Sequence, residues 1–260
     1  NFSKDSLRGS VAVTNPNYDF SGNSVFTSFD VSSTDMADSA GYVSSKTGFA
    51  LGTSFEQYED IFFAPSLDIV HEDIEVQGDS QESLKKMGGT FTNIDFRYGI
   101  VVDKRNQTFK PTDGYRARFV QSLPLIQDSS SILNGLDLSV YRAISDDVIG
   151  SVKFYGRAVH GVDEDVRLTD RLQMPSNKLR GFDTRKIGPK DGEDYIGGNY
   201  ITALGFEAQL PHLLPESSKT DISVFLDTGN IWHVDYNNAL DDSSKIRSAI
   251  GISANVFTAV

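Results

Sequence analysis

The sequence predicts an all-β fold, an antiparallel transmembrane β-barrel of about eleven strands. Three observations predict it. Apolar and polar residues alternate in segment after segment, which places them on opposite faces of a strand. The alternating segments run about 9–12 residues, the length of a tilted membrane-crossing strand and longer than the roughly five or six usual in a soluble sandwich. The connections between segments are alternately short and long, as in outer-membrane barrels.

Segment 6–14 sets Leu7, Gly9, Val11 and Val13 against Arg8, Ser10 and Ala12, and ends at the turn signal Asn15-Pro16-Asn17. Segment 24–32 sets Val25, Phe29 and Val31 against Ser28, Asp30 and Ser32. Segment 46–55 sets Phe49, Leu51 and Phe55 against Gly48, Ala50, Gly52 and Ser54. Mixed patterning over 60–75 marks a longer strand. Segments 90–102, 114–123, 132–143 and 148–159 repeat the alternation, with Asp95, Arg97, Arg116, Arg118, Asp137, Lys153 and Arg157 all opposite the aliphatic face. Three more strands follow at 200–210, 221–232 and 246–257, where Leu204, Phe206, Val224, Leu226, Ile250 and Ile252 oppose Glu207, Asp227 and Arg247.

Connections 56–60 and 144–147 are short, whereas 33–45, 76–88, 163–199 and 233–245 are longer and acidic. The long set is expected on the extracellular side and the short set on the periplasmic side. Connections 109–114 and 211–220 are longer than the short side wants.

Composition narrows the function. No run approaches ~18 apolar residues, so no membrane-spanning helix is expected. Cysteine is absent, which removes disulfides, thiolate metal sites and cysteine nucleophiles. A net charge of −12 opposes nucleic-acid binding. The chain opens on Asn1 without an apolar leader; a secreted barrel needs one, so a truncated N-terminus is expected.

Covalent chemistry finds little support. His71, His160, His212 and His233 stand at no metal-ligand spacing, and no Gly-x-Ser-x-Gly elbow or phosphate loop occurs. Asp163-Glu164-Asp165 and Asp241-Asp242 read as solvated acidic loops, because an oxygen cage needs ligands spaced around a turn. Trp232 reads as an interfacial aromatic anchor. Neither an enzyme nor a bound metal or cofactor is expected.

The chain is organised around Leu179-Arg180-Gly181-Phe182, inside the long aperiodic segment 163–199. Arg180 supplies a planar cation, Gly181 a permissive backbone and Phe182 an apolar anchor. Alternation places Glu207 and Asp227 on the polar face of adjacent strands. Two carboxylates in an enclosed lumen are costly without a cation, and Arg180 can bond them bidentately. The residues alone leave a second reading level with this one: both acids line a wet channel.

The ordered series Leu179-Arg180-Gly181-Phe182, Gly188-Pro189-Lys190-Asp191, Gly197-Gly198-Asn199, a strand with Glu207, and Asp227-Thr228-Gly229 resembles the barrel domain of the BamA family of outer-membrane protein assembly factors, within the bacterial surface antigen superfamily. The resemblance is strongest over 151–260. A weaker match upstream includes Val13-Thr14-Asn15-Pro16-Asn17 and Asp103-Lys104-Arg105 with Thr112-Asp113-Gly114. It implies that the aliphatic face meets lipid and the charged face lines the lumen. It also implies that the tip of loop 163–199 folds back into the lumen, where Arg180, Gly181 and Phe182 are held against Glu207, Asp227 and Gly229. Gly188, Pro189, Gly197, Gly198 and Asn199 form the loop and strand-entry motif.

The same resemblance implies that residues 1–260 are one partial barrel domain, open where terminal strands are missing. Its first strand corresponds to the fourth of the family and its last to the fourteenth, with the periplasmic POTRA domains outside the chain. The implied location is the outer membrane of a Gram-negative bacterium. The implied partners are unfolded outer-membrane proteins as substrates, the lipid bilayer and accessory outer-membrane lipoproteins. A related autotransporter-assembly or two-partner-secretion barrel, or a passive channel, is the alternative; the Arg-Gly-Phe loop followed by the Asp-x-Gly strand speaks against the channel.

Overall fold

The computed structural model describes residues 2–3, 6–78, 85, 88–128, 130–183, 186–235 and 245–256. Among these residues eleven long strands form one antiparallel meander, flanked at one edge by the two-residue β1 (Phe2–Ser3). They are β2 (Ser6–Asn15), β3 (Ser24–Met36), β4 (Tyr42–Tyr58), β5 (Ile61–Val76), β6 (Gly89–Asp103), β7 (Asp113–Gln127), β8 (Ser130–Ser145), β9 (Val148–Val162), β12 (Tyr200–Leu210), β13 (Thr220–Trp232) and β14 (Arg247–Val256). A small separate hairpin, β10 (Lys190–Asp191) with β11 (Asp194–Tyr195), lies inside the connection from β9 to β12. Among the described residues β1 and β14 are free edges, so the sheet is open.

The faces follow the alternation. Register pairs Phe206 with Leu226, Leu226 with Ile250 and Val224 with Ile252, so these side chains share one surface. That surface is exposed, Ile250 at 78% and Ile252 at 74%. The opposite face buries polar groups: Ser223 is 0% exposed, Glu72 1% and Asp227 2%. Apolar residues outside and charges inside invert a soluble protein, and only a lipid surround makes the arrangement stable. No described helix is long and apolar enough to cross a membrane, which says nothing of a strand-built crossing.

The strands run 10–17 residues, longer than expected from the sequence. Most of the extra length sits at the ends on the side of the long connections, although β7 and β8 meet there through only residues 128–129. The expected loop 33–45 is mostly strand, with Asp35 paired to Val43 and Ser33 to Ser45. Its turn is only the helix Ala37–Ala40 and Gly41, which takes φ 73. At these ends the inner face is covered by segment 163–199, with Met36 and Tyr42 buried beneath it, so the apolar-out, polar-in alternation of a strand inside a bilayer fades there. Most of connection 76–88 and Asp241-Asp242 lie outside the described residues.

The two connections that are too long for the short side fold onto each other. Arg105 forks onto Asp103 at 2.7 and 2.6 Å, and Asn106 accepts from the backbone of Thr112 and Asp113. Lys110 then pairs with Asp221 on β13 at 2.7 Å.

Candidate functional site

Among the described residues most buried apolar side chains gather in two clusters, both where segment 163–199 lies on the inner wall. In one of them Leu179, at 0% exposure, packs with Met174 and Ile187 of the loop against Ile201, Ala203 and Ile231 of the wall. Gly229 makes the seat, since a Cβ there would lie 2.8 Å from the Met174 Cε. A turn in which the Lys178 N–H donates to the Pro175 carbonyl then delivers Arg180 to β13.

Arg180 grips Asp227 three times. Its Nε donates to Oδ2 at 2.7 Å, its Nη2 to Oδ1 at 2.8 Å, and its backbone N–H to Oδ2 at 3.1 Å. The guanidinium also stacks on Phe225, with Cζ 3.5 Å from the ring centroid. Asp227's hydrogen bonding raises the Arg180 pKa above its already high ordinary value. Such forked, charge-assisted bonds are the strong class of hydrogen bond. Gly205, opposite Asp227, leaves room for the pair: a Cβ there would stand 3.2 Å from Oδ1. Gly181 takes φ 84 and passes β14 at Ala249.

Glu207 and Phe182 are placed differently from the expectation. Glu207 accepts from Lys153 at 2.8 Å and from Ser223 at 2.7 Å rather than bonding Arg180. Register sets Glu207 beside Phe225, whose ring is taken up by Arg180. Phe182 is 37% exposed, because the left-handed turn at Gly181 lets the chain leave the wall; the apolar anchor is Leu179. Lys153 and Phe225 were legible in principle. Each shares the inward parity of neighbours already assigned to the polar face, but nothing in parity says which of several inward charges will meet.

The second motif lies apart from the clamp. Gly188 (φ 104) and Gly198 both press against Ile231, where added Cβ atoms would come within 3.1 and 2.7 Å. Pro189 is fully buried, and its carbonyl accepts from the Ile196 N–H. Gly197 (φ 71) and Gly198 bring the chain beside Leu172, with which Gly198 exchanges both backbone bonds. Asn199 joins the walls: its N–H donates to the His233 carbonyl and its carbonyl accepts from the Val159 N–H. Together these residues return the loop to the sheet. Among the described residues no group of three His, Asp or Glu stands close enough to hold a metal.

A family model described as the Omp85 superfamily domain matches residues 1–258. The chain is 29% identical over 187 residues to a protein of Neorickettsia risticii (strain Illinois) described as outer membrane protein assembly factor BamA; the match covers 68% of this chain and 24% of that protein. The fold is similar to that of BamA from Haemophilus ducreyi lacking POTRA domains 1–3, with a TM-score of 0.83 at 18% identity, covering 96% of this chain and 56% of that one. It is also similar to CdiB from Acinetobacter baumannii, with a TM-score of 0.58 at 14% identity, covering 95% and 44%. The chain thus spans 24% of the length of the curated relative it matches.

Proposed function

This chain belongs to the Omp85 superfamily, and from that premise we propose that it is the lumen-lining part of an outer-membrane protein assembly factor. Such a factor folds and inserts other β-barrels without covalent chemistry and works in the outer membrane of a Gram-negative bacterium. Its substrates are unfolded outer-membrane proteins, the bilayer is its medium, and accessory lipoproteins are its expected partners. The observation that carries the reading is the Arg180–Asp227 fork beneath a loop packed on the inner wall. A carboxylate that is 2% exposed is costly to bury without a partner cation. Residues spent this way hold the loop in one place, which a passive pore does not need.

Reconstitution tests it. The intact protein in lipid vesicles should speed the folding of a small barrel substrate, read as its shift to the fast, heat-modifiable gel band. Arg180→Ala should slow that folding at least about tenfold, the effect of some 1.4 kcal/mol, while its own barrel stays folded. No acceleration by the wild type, together with export of a substrate across the vesicle wall, would favour a translocation barrel instead.

A further inference from the structure

Glu72 is the least expected residue of the wall. It lies on β5, on the inner face, and is 1% exposed. Its Oε1 accepts from Ser44 at 2.7 Å and stands 3.1 Å from the Lys46 ammonium; both partners belong to β4. Its Oε2 accepts at 3.0 Å from the hydroxyl of Thr169, which belongs to the loop. The loop is seated at the same place by packing. Leu168 and Ile196 enter the cluster of Met36, Tyr42 and Ile74. The Arg167 guanidinium lies 4.3 Å above the Phe91 ring of β6.

β5 and β13 are separated by five strands, β6, β7, β8, β9 and β12. Six steps of about 4.8 Å make roughly 29 Å along the wall. Thr169 and Arg180, 180 − 169 = 11 residues apart, nevertheless touch both. Eleven residues reach at most about 40 Å, so the loop can run as a chord across the curved sheet, tied at each end to a buried carboxylate.

We propose that Glu72 is a second anchor, a positioning residue that works with the Arg180–Asp227 fork to make segment 163–199 a strut across the lumen. Each tie raises the effective concentration of the other, so releasing Thr169 loosens Arg180 without touching it. A simpler role, in which Glu72 only neutralises Lys46, needs no loop and predicts no such coupling. The proposal rests on the reading of Arg180 and Asp227 as the loop's clamp.

Trypsin cleavage after Lys178 and Arg180 in the intact, membrane-embedded protein reads the coupling, with the heat-modifiable band reporting the barrel. Asp227→Ala removes the clamp directly and should open both sites. Thr169→Val leaves every wall residue in place and should raise cleavage about tenfold, the change one charge-assisted hydrogen bond carries. Glu72→Ala should do the same, whereas Glu72→Gln, which can still bond both hydroxyls but without the charge, should fall between Glu72→Ala and the wild type. Cleavage of Thr169→Val at the wild-type rate while Asp227→Ala is cut rapidly would overturn the second anchor and leave the clamp standing. Resistance of Asp227→Ala as well would overturn the clamp itself.

Discussion

The wall and the loop it carries obey opposite rules. The wall exposes Phe206, Leu226, Ile250 and Ile252 and buries Glu72, Ser223 and Asp227. The loop buries Leu168, Leu179, Ile187 and Ile196, together with the charged Arg167, Arg171 and Asp191, and exposes Gly181, Phe182 and Asp183. The two meet on a surface that serves both: at Ile201 and Ile231 the inner wall is apolar because the loop covers it. Around Asp227 it is charged because the loop brings a cation. The lumen is therefore built to the shape and charge of one particular loop rather than generally polar.

The difference makes the two regions separable by mutation. Leu179→Ala removes the loop's buried anchor and should cost the docked state about 2–5 kcal/mol, as Leu-to-Ala changes in packed sites do. The loop should become open to protease while urea unfolding of the barrel in vesicles barely moves. Leu226→Arg attacks the wall from the lipid side and should cost the barrel about 2–4 kcal/mol near the bilayer midplane, leaving the loop docked. If Leu226→Arg is neutral in a folded barrel, the outward assignment of that face is wrong. Phe182→Ala should be the mildest change, within about 0.5 kcal/mol, because the ring is on the surface; a large loss of assembly activity there would point to a contact with substrate rather than with the wall.

The contrast also explains what could be read from sequence. Inside the bilayer one face meets lipid and the other the lumen, so period two prevails, and the two sides of β6, β9, β12 and β13 follow from it. Toward the long connections the loop covers the inner face with apolar side chains such as Leu168 on Met36 and Tyr42, and strand ends such as Ser33–Met36 look like loop until Val43 and Ser45 are seen to pair with them. Arg180 and Asp227 are picked out by a spaced motif. The division of labour between Asp227 and Glu207 is not, because both acids face inward and only the register shows Lys153 and Ser223 beside Glu207. In an aperiodic loop nothing distinguishes Leu179 from Phe182 as the buried residue. That choice is made by the turn at Gly181 and by the apolar cluster of Met174, Ile187, Ile201 and Ile231 that receives Leu179.

The central claim is that Arg180 and Asp227 touch and hold the loop, and a charge swap tests it most directly. Arg180→Asp, Asp227→Arg and the double variant should be compared in the reconstituted folding assay, with trypsin sensitivity after Lys178 as the structural readout. Each single variant places two like charges together in a site where one partner is 2% exposed, and should lose both activity and protection. The account predicts that the double variant regains a substantial part of both. Losses in the double variant equal to the sum of the singles would mean that the two side chains do not bear on each other, and would contradict the clamp.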